Sequence, residues 1–491
     1  MIVHPKKLPM SLFIKKPLEQ LLAQAQDSEK SLKRSLSAYN LVALGIGAII
    51  GAGLFSITGV AAATNAGAAI TISFVVAACG CAFAGLCYAE FASMIPVAGS
   101  AYTYSYATLG EFIAWIIGWD LVLEYALGAA TVAISWSRYL GKFLEHYDIH
   151  IPPYLAMSPY ETATLADGTV VSGGINLPAI IIVIFVSAVL IKGIQESAFV
   201  NAIIVTLKVT VVLIFIFLGW KYINPDNYVP YVPANNGTFG EFGFSGIIRA
   251  AGIVFFAYIG FDAVSTAAQE SKNPKRDMPI GILGSLVICT ILYVLFAHVM
   301  TGIANYKEFA GQDGIAPVAV AISHTPYKFL QQAIILAILA GYTSVILVML
   351  MGQSRVFFSM SRDGLLPGFF SAVHSKFKTP YKSNLLFMVF VGLFCGFVPA
   401  RVVGEMVSIG TLLAFVLVCV GVWVMRVKMP EAPRGFKTPL VPLVPILGIV
   451  ICLGMMAFLP ADTWLRLIVW MSLGLVIYFV YSKKNSFLRK Q

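Results

Sequence analysis

Long apolar stretches recur along almost the whole chain and are separated by short polar segments. A helix needs about 20 apolar residues to cross the hydrocarbon core of a bilayer, and most of these stretches come close to that length. The pattern predicts helices near residues 40–63, 67–92, 109–139, 177–193, 199–220, 246–268, 279–302, 328–358, 384–399, 403–426, 440–459 and 464–482. We therefore expect an all-α integral membrane protein with about twelve transmembrane helices.

The composition supports a membrane protein and limits its partners. Hydrophobic residues make up 59% of the chain and charged residues 11%, whereas a soluble domain carries about 25% charge. The net charge of +10 is spread over short loops, so we read it as a topology signal and expect no nucleic-acid partner. The 7 cysteines all fall in apolar stretches, without metal-ligand spacing, and we expect no cofactor or metal.

The positions of the basic residues predict the orientation. With the N-terminus inside, 24 of the 33 Lys and Arg residues fall on the cytoplasmic side. This bias is the one that the positive-inside rule requires. We expect both termini to be cytoplasmic, residues 1–36 to form a basic tail near the membrane surface, and residues 483–491 to form a second tail.

Glycines interrupt two of the predicted helices near their middle. The first interruption lies in the stretch from Gly45 to Phe55, and the second lies in the stretch from Phe255 to Asp262. They fall in the first and sixth helices, so the second half of the chain would run inverted relative to the first. Such a pair is typical of a transporter with its binding site at the midplane. The alternative for either helix alone is close helix packing through glycine.

Unwound helices at membrane depth expose backbone groups that need a polar partner. Freed N–H groups at the start of a half-helix suit a carboxylate, and freed carbonyls suit an ammonium. We expect Gly51, Ala52 and Gly53 to hold a carboxylate and the Ile49 carbonyl to accept from an amine. In the sixth helix, Phe256, Ala257 and Ile259 are expected to supply carbonyls or pocket walls. A zwitterionic α-amino acid carries both groups, and binding it needs no catalytic side chain. No hydrolase, kinase or redox motif is present, and we expect no enzymatic activity.

Ionisable residues at membrane depth are functional candidates because they are costly there. Lys208 lies about ten residues from either end of its span and is a candidate proton carrier; the alternative is a lysine that reaches toward the interface. Glu124 is a candidate for gating or proton coupling, or else a structural polar contact, and Asp120 precedes it by one turn. Asp262 is expected to cap the half-helix that follows the second interruption.

Four stretches resemble the amino acid–polyamine–organocation (APC) superfamily, and within it the bacterial cationic-amino-acid-transporter-like branch. They are Gly45 to Phe55, Pro96 to Tyr104, Phe256 to Asp262 together with Asn273 to Pro279, and Ser361 to Pro367. The resemblance implies the leucine-transporter-like (LeuT-like) fold, in which two inverted five-helix repeats are followed by two more helices. The repeats would cover residues 37–222 and 246–427, and the extra helices residues 438–482.

The same resemblance implies roles for single residues. The backbone site would fall on Ile49, Ala52 and Gly53 and on Phe256, Ala257 and Ile259. Lys208 matches a fifth-helix lysine that takes the place of a sodium ion in proton-driven relatives, and Glu124 matches a third-helix acid. The region of Met349 would lie beside the substrate side chain. Relatives often carry Thr or Ser where this chain has Ala52, so the site loses a hydroxyl and keeps the N–H.

These observations predict a proton symporter in the cell membrane that takes up small neutral L-amino acids such as alanine. Met349 is a large apolar side chain, and an unpaired buried guanidinium costs several kcal/mol, so arginine is disfavoured. The alternatives are a sodium-independent exchanger, a cationic amino-acid transporter and an amino-acid sensor. The expected partners are the amino acid, the proton and the lipid bilayer, with no obligatory protein partner.

Overall fold

The computed structural model describes residues 12–17, 21, 36–97, 99–164, 168–193, 198–310, 316–377 and 379–490. Most of the predicted N-terminal tail, residues 1–36, lies outside these ranges. The expectation that this tail rests on the membrane surface therefore stays a prediction.

The first half of the described chain is helical apart from one hairpin. Its α-helices are α1 Ala38–Ile49, α2 Thr58–Ala61, α3 Ile70–Met94, α4 Ser100–Thr108, α5 Glu111–Val122, α6 Gly128–Glu145, α7 Pro153–Ala156, α8 Leu177–Lys192 and α9 Ala198–Trp220. Turns of π-helix span Gly53–Ile57, Ala62–Ala66 and Leu123–Leu127, and 3₁₀ turns span Gly67–Ala69 and Pro225–Tyr228. The strands β1 Thr162–Thr164 and β2 Val170–Ser172 pair antiparallel, with Thr162 opposite Ser172.

The second half is helical in the same way. Its α-helices are α10 Gly243–Val254, α11 Ala263–Thr266, α12 Pro274–Ile303, α13 Pro317–Ser323, α14 Lys328–Arg362, α15 Tyr381–Phe397, α16 Ala400–Lys428, α17 Leu443–Phe458, α18 Ala461–Ile477, α19 Lys483–Asn485 and α20 Phe487–Lys490. The 3₁₀ turns are Phe255–Tyr258, Ala268–Glu270 and Tyr306–Phe309, and a π-helical turn covers Tyr478–Ser482.

Eight helices of the described chain are long and apolar enough to cross a membrane. The first of them, Ala38–Met94, is a 57-residue helical stretch that contains both of the first two predicted spans. Three shorter apolar helices, α8, α15 and α17, fall on other predicted spans. The protein is thus a multi-pass helical membrane protein, while the number twelve stays a prediction.

Local sequence explains where several helices begin and end. Ser37 caps α1: its hydroxyl accepts from the Asn40 amide, and the Asn40 side chain accepts from the Ser37 amide in return. Gly193 ends α8 with φ +76°, a conformation that glycine adopts without steric cost. Pro274 opens α12 at its first position, where a missing N–H costs nothing.

Two opposite faces of the bundle are defined by the ends of one long helix. The continuous span Glu111–Glu145 has 35 residues and is about 50 Å long. At its start, Arg489 Nε donates to Glu111 Oε1 at 2.6 Å, and residues 12–17 pack nearby; we call this end the tail face. Its other end leads to the strand hairpin β1–β2, and we call that end the hairpin face.

The burial of the helices separates the centre from the rim. In Glu111–Glu145, 83% of the most apolar window is buried, and the same fraction is found for Gly243–Ser265. In Ala461–Lys490 only 22% is buried. A membrane protein exposes apolar side chains to lipid at its rim. Glu111–Glu145 and Gly243–Ser265 therefore lie in the middle of the bundle, and Ala461–Lys490 lies at its edge.

Candidate functional site

The first broken helix opens at Ile50. Helix α1 ends at Ile49, and Ile50 takes an extended conformation with ψ 103°. Helical structure resumes at the π turn Gly53–Ile57, where the amides of Leu54 and Phe55 both donate to the Gly51 carbonyl at 3.2 Å. The leading amides of a helix have no partner within it, so those of Gly51, Ala52 and Gly53 stand at a position suited to an anion.

The second broken helix opens at Ile259. Helix α10 tightens into the 3₁₀ turn Phe255–Tyr258, and Ile259 is then extended, with φ −60° and ψ 137°. Gly260 has φ +113°, which favours glycine, and its missing side chain allows an approach to the backbone of Ala48. Helix α11 follows from Ala263. Both interruptions therefore lie where the glycine pattern predicts them.

The two broken helices run antiparallel and touch at their interruptions. A Cβ added to Gly53 would lie 2.2 Å from the Cα of Ala257, a distance that no real Cβ contact reaches. Toward the tail face, Leu36 forms a β-bridge with Ser271. Toward the hairpin face, the Asn65 amide side chain donates to the Gly240 carbonyl at 2.7 Å. The predicted residues of the two interruptions are thus brought together at one place.

Tyr293 on α12 joins the two interruptions and was missed from the sequence. Its buried hydroxyl lies 2.9 Å from the carbonyl oxygens of both Ile49 and Ala257. These are two of the carbonyls expected to accept from a substrate amine. A hydroxyl carries only one proton, so Tyr293 alone cannot satisfy both carbonyls fully. No sequence signal marks Tyr293, because tyrosine is an ordinary packing residue in a membrane helix.

Lys208 reaches the first broken helix from α9. Its amine donates to the Gly47 carbonyl at 2.7 Å, and the residue is 1% exposed. A Cβ on Gly341 of α14 would meet the lysine stem at 2.8 Å, so this glycine makes room for it. The amine ends inside the bundle, which does not fit a lysine that reaches toward the interface. Its part in proton coupling stays a prediction.

Three buried acidic side chains lie close to one another on the tail-face side of the interruptions: Asp120, Glu124 and Asp262. Glu124 lies in the π turn Leu123–Leu127 and faces Asp262, Asp120 and Thr411. Neither carboxyl oxygen of Glu124 or of Asp120 has a hydrogen-bond partner among the described residues. Buried polar atoms normally have a hydrogen-bond partner, so these carboxyl groups are candidates for binding a proton.

Asp262 behaves differently from the expectation. It occupies the N-cap position of α11, but its side chain makes no capping hydrogen bond. Instead Oδ2 accepts from the Tyr125 hydroxyl at 2.5 Å, and the Ser100 hydroxyl lies 3.5 Å away. The predicted side-chain cap is wrong, and the carboxylate is held instead by a tyrosine of the neighbouring long helix.

Two side chains of α14 face the centre of the bundle. Val345 lies beside the first interruption, where a Cβ on Gly51 would meet it at 3.3 Å. Met349, one turn further on, is buried. A Cβ added to Gly128 would lie 2.8 Å from the Met349 sulfur. Val345, which the sequence did not single out, is thus nearer than Met349 to the expected carboxylate site. Whether Met349 contacts substrate stays a prediction.

Aromatic side chains close the site toward the hairpin face. The Tyr139 hydroxyl donates to the carbonyl of Phe55, and the hydroxyls of Ser56 and Tyr342 are 2.9 Å apart. The Tyr342 ring packs against the rings of Tyr139 and Phe55, at centroid distances of 5.7 Å and 6.3 Å respectively. These contacts hold the second half of the first broken helix against α6 and α14.

Two antiparallel broken helices that meet inside a multi-pass helical bundle are typical of secondary transporters. The sequence comparison gives the family within that class. A model described as "Amino acid permease" matches residues 36–480. The chain belongs to this family of the APC superfamily, as the resemblance implied, and is an amino-acid transporter, not an enzyme.

Relatives of known name cover almost the whole chain. It is 48% identical over 476 residues to "Branched-chain amino acid permease BcaP" of Bacillus subtilis (strain 168), with 97% of this chain and 98% of the relative aligned. It is 44% identical over 480 residues to "Methylthioribose transporter" of the same strain, with 98% and 100% aligned. It is 35% identical to "Cationic amino acid transporter 4, vacuolar" of Arabidopsis thaliana over 423 residues, which cover 86% of this chain and 68% of the relative.

Proposed function

We propose that the protein takes up neutral aliphatic L-amino acids by proton symport across the cell membrane. The range would run from alanine, as the sequence predicts, to the branched-chain amino acids. The observation that carries the proposal is the meeting of freed amides and freed carbonyls at one point between the two broken helices. A zwitterion is the ligand that satisfies both kinds of group.

The ammonium group would bind where the Tyr293 hydroxyl now lies. The carbonyls of Ile49 and Ala257 are both within hydrogen-bonding distance of that single hydroxyl. An ammonium has three donors and a full charge, so it serves two carbonyls better than one hydroxyl does. Binding of the amino acid would therefore displace the tyrosine, and Phe256 and Ile259 would line the same end of the site.

The carboxylate would bind the leading amides of the π turn that begins at Gly53. Anions are stabilised there by the N–H groups and by the positive end of the helix dipole. Ala52 adds no hydroxyl, so recognition would rest on the backbone alone. These backbone contacts would be the same for any α-amino acid, whatever its side chain.

The side chain of the substrate would then be selected by the walls. Val345 beside Gly51 and Met349 further along α14 are apolar and fit an aliphatic side chain. A cationic side chain would lose its hydration there without compensation. The name of the 48% identical relative, a branched-chain amino acid permease, supports this range.

Lys208 and Glu124 are proposed as the proton-coupling residues. A charge-assisted hydrogen bond from the Lys208 amine holds the Gly47 carbonyl of α1, and such bonds are about twice as strong as neutral ones. Loss of the proton would weaken this hold and release the α1 half of the first broken helix. Glu124 faces Asp262, and its carboxyl oxygens have no hydrogen-bond partner among the described residues; it would exchange the proton on the tail-face side.

The proposal also covers the orientation of the protein in the membrane and the arrangement of its helices. The tail face would be cytoplasmic and the hairpin face would lie outside, because most basic residues lie on the first. The fold would be the LeuT-like arrangement of two inverted five-helix repeats followed by two helices. The antiparallel contact between the two broken helices supports it.

Uptake into proteoliposomes tests the proposal. Labelled alanine, valine, leucine, isoleucine, arginine and methylthioribose are compared with and without an inward pH gradient. We expect accumulation of the neutral aliphatic amino acids and its loss when the gradient is collapsed. Arginine accumulation with poor alanine and leucine uptake would overturn the proposed range. Uptake that needs internal amino acid and ignores the gradient would instead make the protein an exchanger, and binding without uptake would make it a sensor.

A further inference from the structure

Residues near the two ends of the chain dock beside each other on the tail face. Glu111, at the start of the long helix, accepts from Arg489 at 2.6 Å through its carboxylate. Its backbone amide donates to the Ile14 carbonyl at 2.8 Å. Residues 12–17 and residues 483–490 are thus held at the same helix end.

Asp363, directly after α14, joins the same two segments. Its carboxylate accepts from the Lys16 amine at 2.7 Å, and its carbonyl accepts from the Phe487 amide at 3.0 Å. The two acids at this contact, Asp363 and Glu111, therefore each have a basic partner already. Neither of them is left to balance further positive charge.

Five more lysines lie at or beside the docked segments: Lys15, Lys428, Lys483, Lys484 and Lys490. In the part of the chain that the structure describes, none of the five forms an ion pair with an Asp or Glu. Burial and the positive charge of Lys428 both lower the pKa of Lys15, so these two amines lie close enough to repel each other. The surface carries an excess of positive charge that an anion would neutralise.

The lysines stand where two membrane helices leave the bundle. Lys428 is the last residue of α16, and Lys483 follows directly on the π turn Tyr478–Ser482 that continues α18. Phe479 and Val480 of that turn are 46% and 64% exposed, on a helix that lies at the edge of the bundle. Such apolar side chains face lipid, so the lysines that follow them lie at the level of the lipid headgroups.

Aromatic side chains connect the docked segments to this lipid-facing turn. The Phe112 ring lies 6.2 Å from the Phe13 ring and 6.1 Å from the Phe479 ring, and the Lys483 amine lies 5.7 Å from the centre of the Phe479 ring. Phe13 and Phe487 are both about half exposed, at 52% and 51%. Exposed aromatic rings among lysines are typical of segments that lie in a membrane interface.

We propose that the docked chain ends bind the headgroup of an anionic phospholipid, with its phosphate between Lys15 and Lys428. Lysine amines bind phosphate as point charges, and basic residues beside a membrane helix attract anionic lipid. The lipid-facing turn beside the lysines favours a phospholipid over a soluble anion. The bound lipid would offset the repulsion between the lysines and so help to keep both ends docked. This inference is independent of the transported substrate.

Quenching by brominated lipids tests the proposal on the full chain in nanodiscs of mixed phosphatidylcholine and phosphatidylglycerol. Phe487→Trp places an indole at the proposed site, and the signal of the unmodified protein is subtracted. The bromines are carried near the headgroup end of the acyl chains, either on the zwitterionic or on the anionic lipid. From quenching at increasing mole fractions we expect a preference of about fivefold for the anionic lipid.

Two pairs of variants in the Phe487→Trp background assign the preference to residues. Lys15→Gln with Lys428→Gln should abolish it, while Lys15→Arg with Lys428→Arg keeps both charges and should retain it. Lys272→Gln with Lys275→Gln is the matched control, because these two exposed lysines also lie toward the tail face, next to the Leu36–Ser271 bridge. This control should keep the preference unchanged.

Equal quenching by the two brominated lipids in Phe487→Trp would overturn the proposal. A preference that survives Lys15→Gln with Lys428→Gln, or that is lost equally in the Lys272 and Lys275 control, would also overturn it, because the net charge of the tail face would then be the cause. Inorganic phosphate that abolishes the preference at constant ionic strength would make the ligand a free anion. Displacement of the lipid by polyglutamate would make it an acidic protein segment, and either result would contradict a lipid site.

Discussion

Both interruptions open the helical backbone at one extended residue, Ile50 or Ile259, but the charged groups beside them are of opposite sign. The first, at Ile50, carries no charged side chain of its own, and the cation beside it comes from another helix, through Lys208 and the Gly47 carbonyl. The second carries its own acid, Asp262, which accepts from Tyr125 and faces Glu124. One interruption is held by a positive group and the other by a buried acidic group.

This difference suggests a division of work between the two helices. A hydrogen bond from Lys208 ties the position of the first helix to the protonation of one amine. Within the part of the chain that the structure describes, Glu124 and Asp262 keep carboxyl oxygens without a hydrogen-bond partner, so a proton can be gained there without breaking a hydrogen bond. Tyr293 connects the two, since it alone contacts a carbonyl from each interruption within the described chain.

The largest effect is expected where the interruptions touch. Gly53→Ala places a Cβ 2.2 Å from the Cα of Ala257, and backbone cannot rotate away as a side chain can. The broken helices must separate, and we expect leucine binding to weaken by ~10-fold or more. Binding is measured on purified, folded protein.

Gly454→Ala is the control for that variant. Gly454 lies in α17, also in an apolar helix, and a Cβ there meets no heavy atom within 4 Å. It should bind leucine normally and gain stability, by about 1 kcal/mol or less. Equal leucine affinity in Gly53→Ala and Gly454→Ala would remove the carboxylate site from the first interruption.

The next effect concerns the positive group. Lys208→Ala leaves the Gly47 carbonyl without its charged donor, and α1 loses its link to protonation. We expect accumulation driven by a pH gradient to fall about tenfold or more, to the level found without a gradient. Exchange of leucine across the membrane should persist. Lys192→Ala, at the exposed end of α8, is the control. The same loss of accumulation in that variant would mean that removing any lysine lowers transport, and Lys208 would have no particular role in coupling.

A smaller effect, in the opposite direction, is expected at the link between the interruptions. Tyr293→Phe removes the hydroxyl that competes with the substrate amine. The carbonyls of Ile49 and Ala257 are then unsatisfied in the empty protein, so binding gains about 1 kcal/mol, or roughly fivefold in affinity. Titration with leucine measures it. Weaker binding would mean that the hydroxyl contacts the substrate instead of making way for it.

The smallest effect is expected at the apolar wall. Met349→Ser should shift preference from alanine toward longer side chains about threefold, because a flexible apolar side chain is shortened. The ratio of uptake rates for isoleucine and alanine measures the shift. Val345→Ala, one turn nearer to Gly51, is the comparison, and a larger change there would make Val345 the residue that limits side-chain size.

The interruptions and Lys208 could be predicted because their signals are local. Glycines in the middle of an apolar helix show where the backbone can open, and a lysine far from either end of its span has no interface to reach. Tyr293, Val345 and the Tyr125 contact of Asp262 could not be predicted. They depend on how helices distant in sequence rotate against each other, and tyrosine and valine are ordinary packing residues in any apolar helix.

The most direct test of the account follows protons and substrate together. Proteoliposomes are loaded with a pH-sensitive dye, and L-leucine is added outside without any imposed gradient. The account predicts that leucine entry acidifies the lumen, and that Lys208→Ala admits leucine without acidification. Leucine that accumulates in the unmodified protein with no change in luminal pH would contradict proton coupling, whatever the geometry around Lys208.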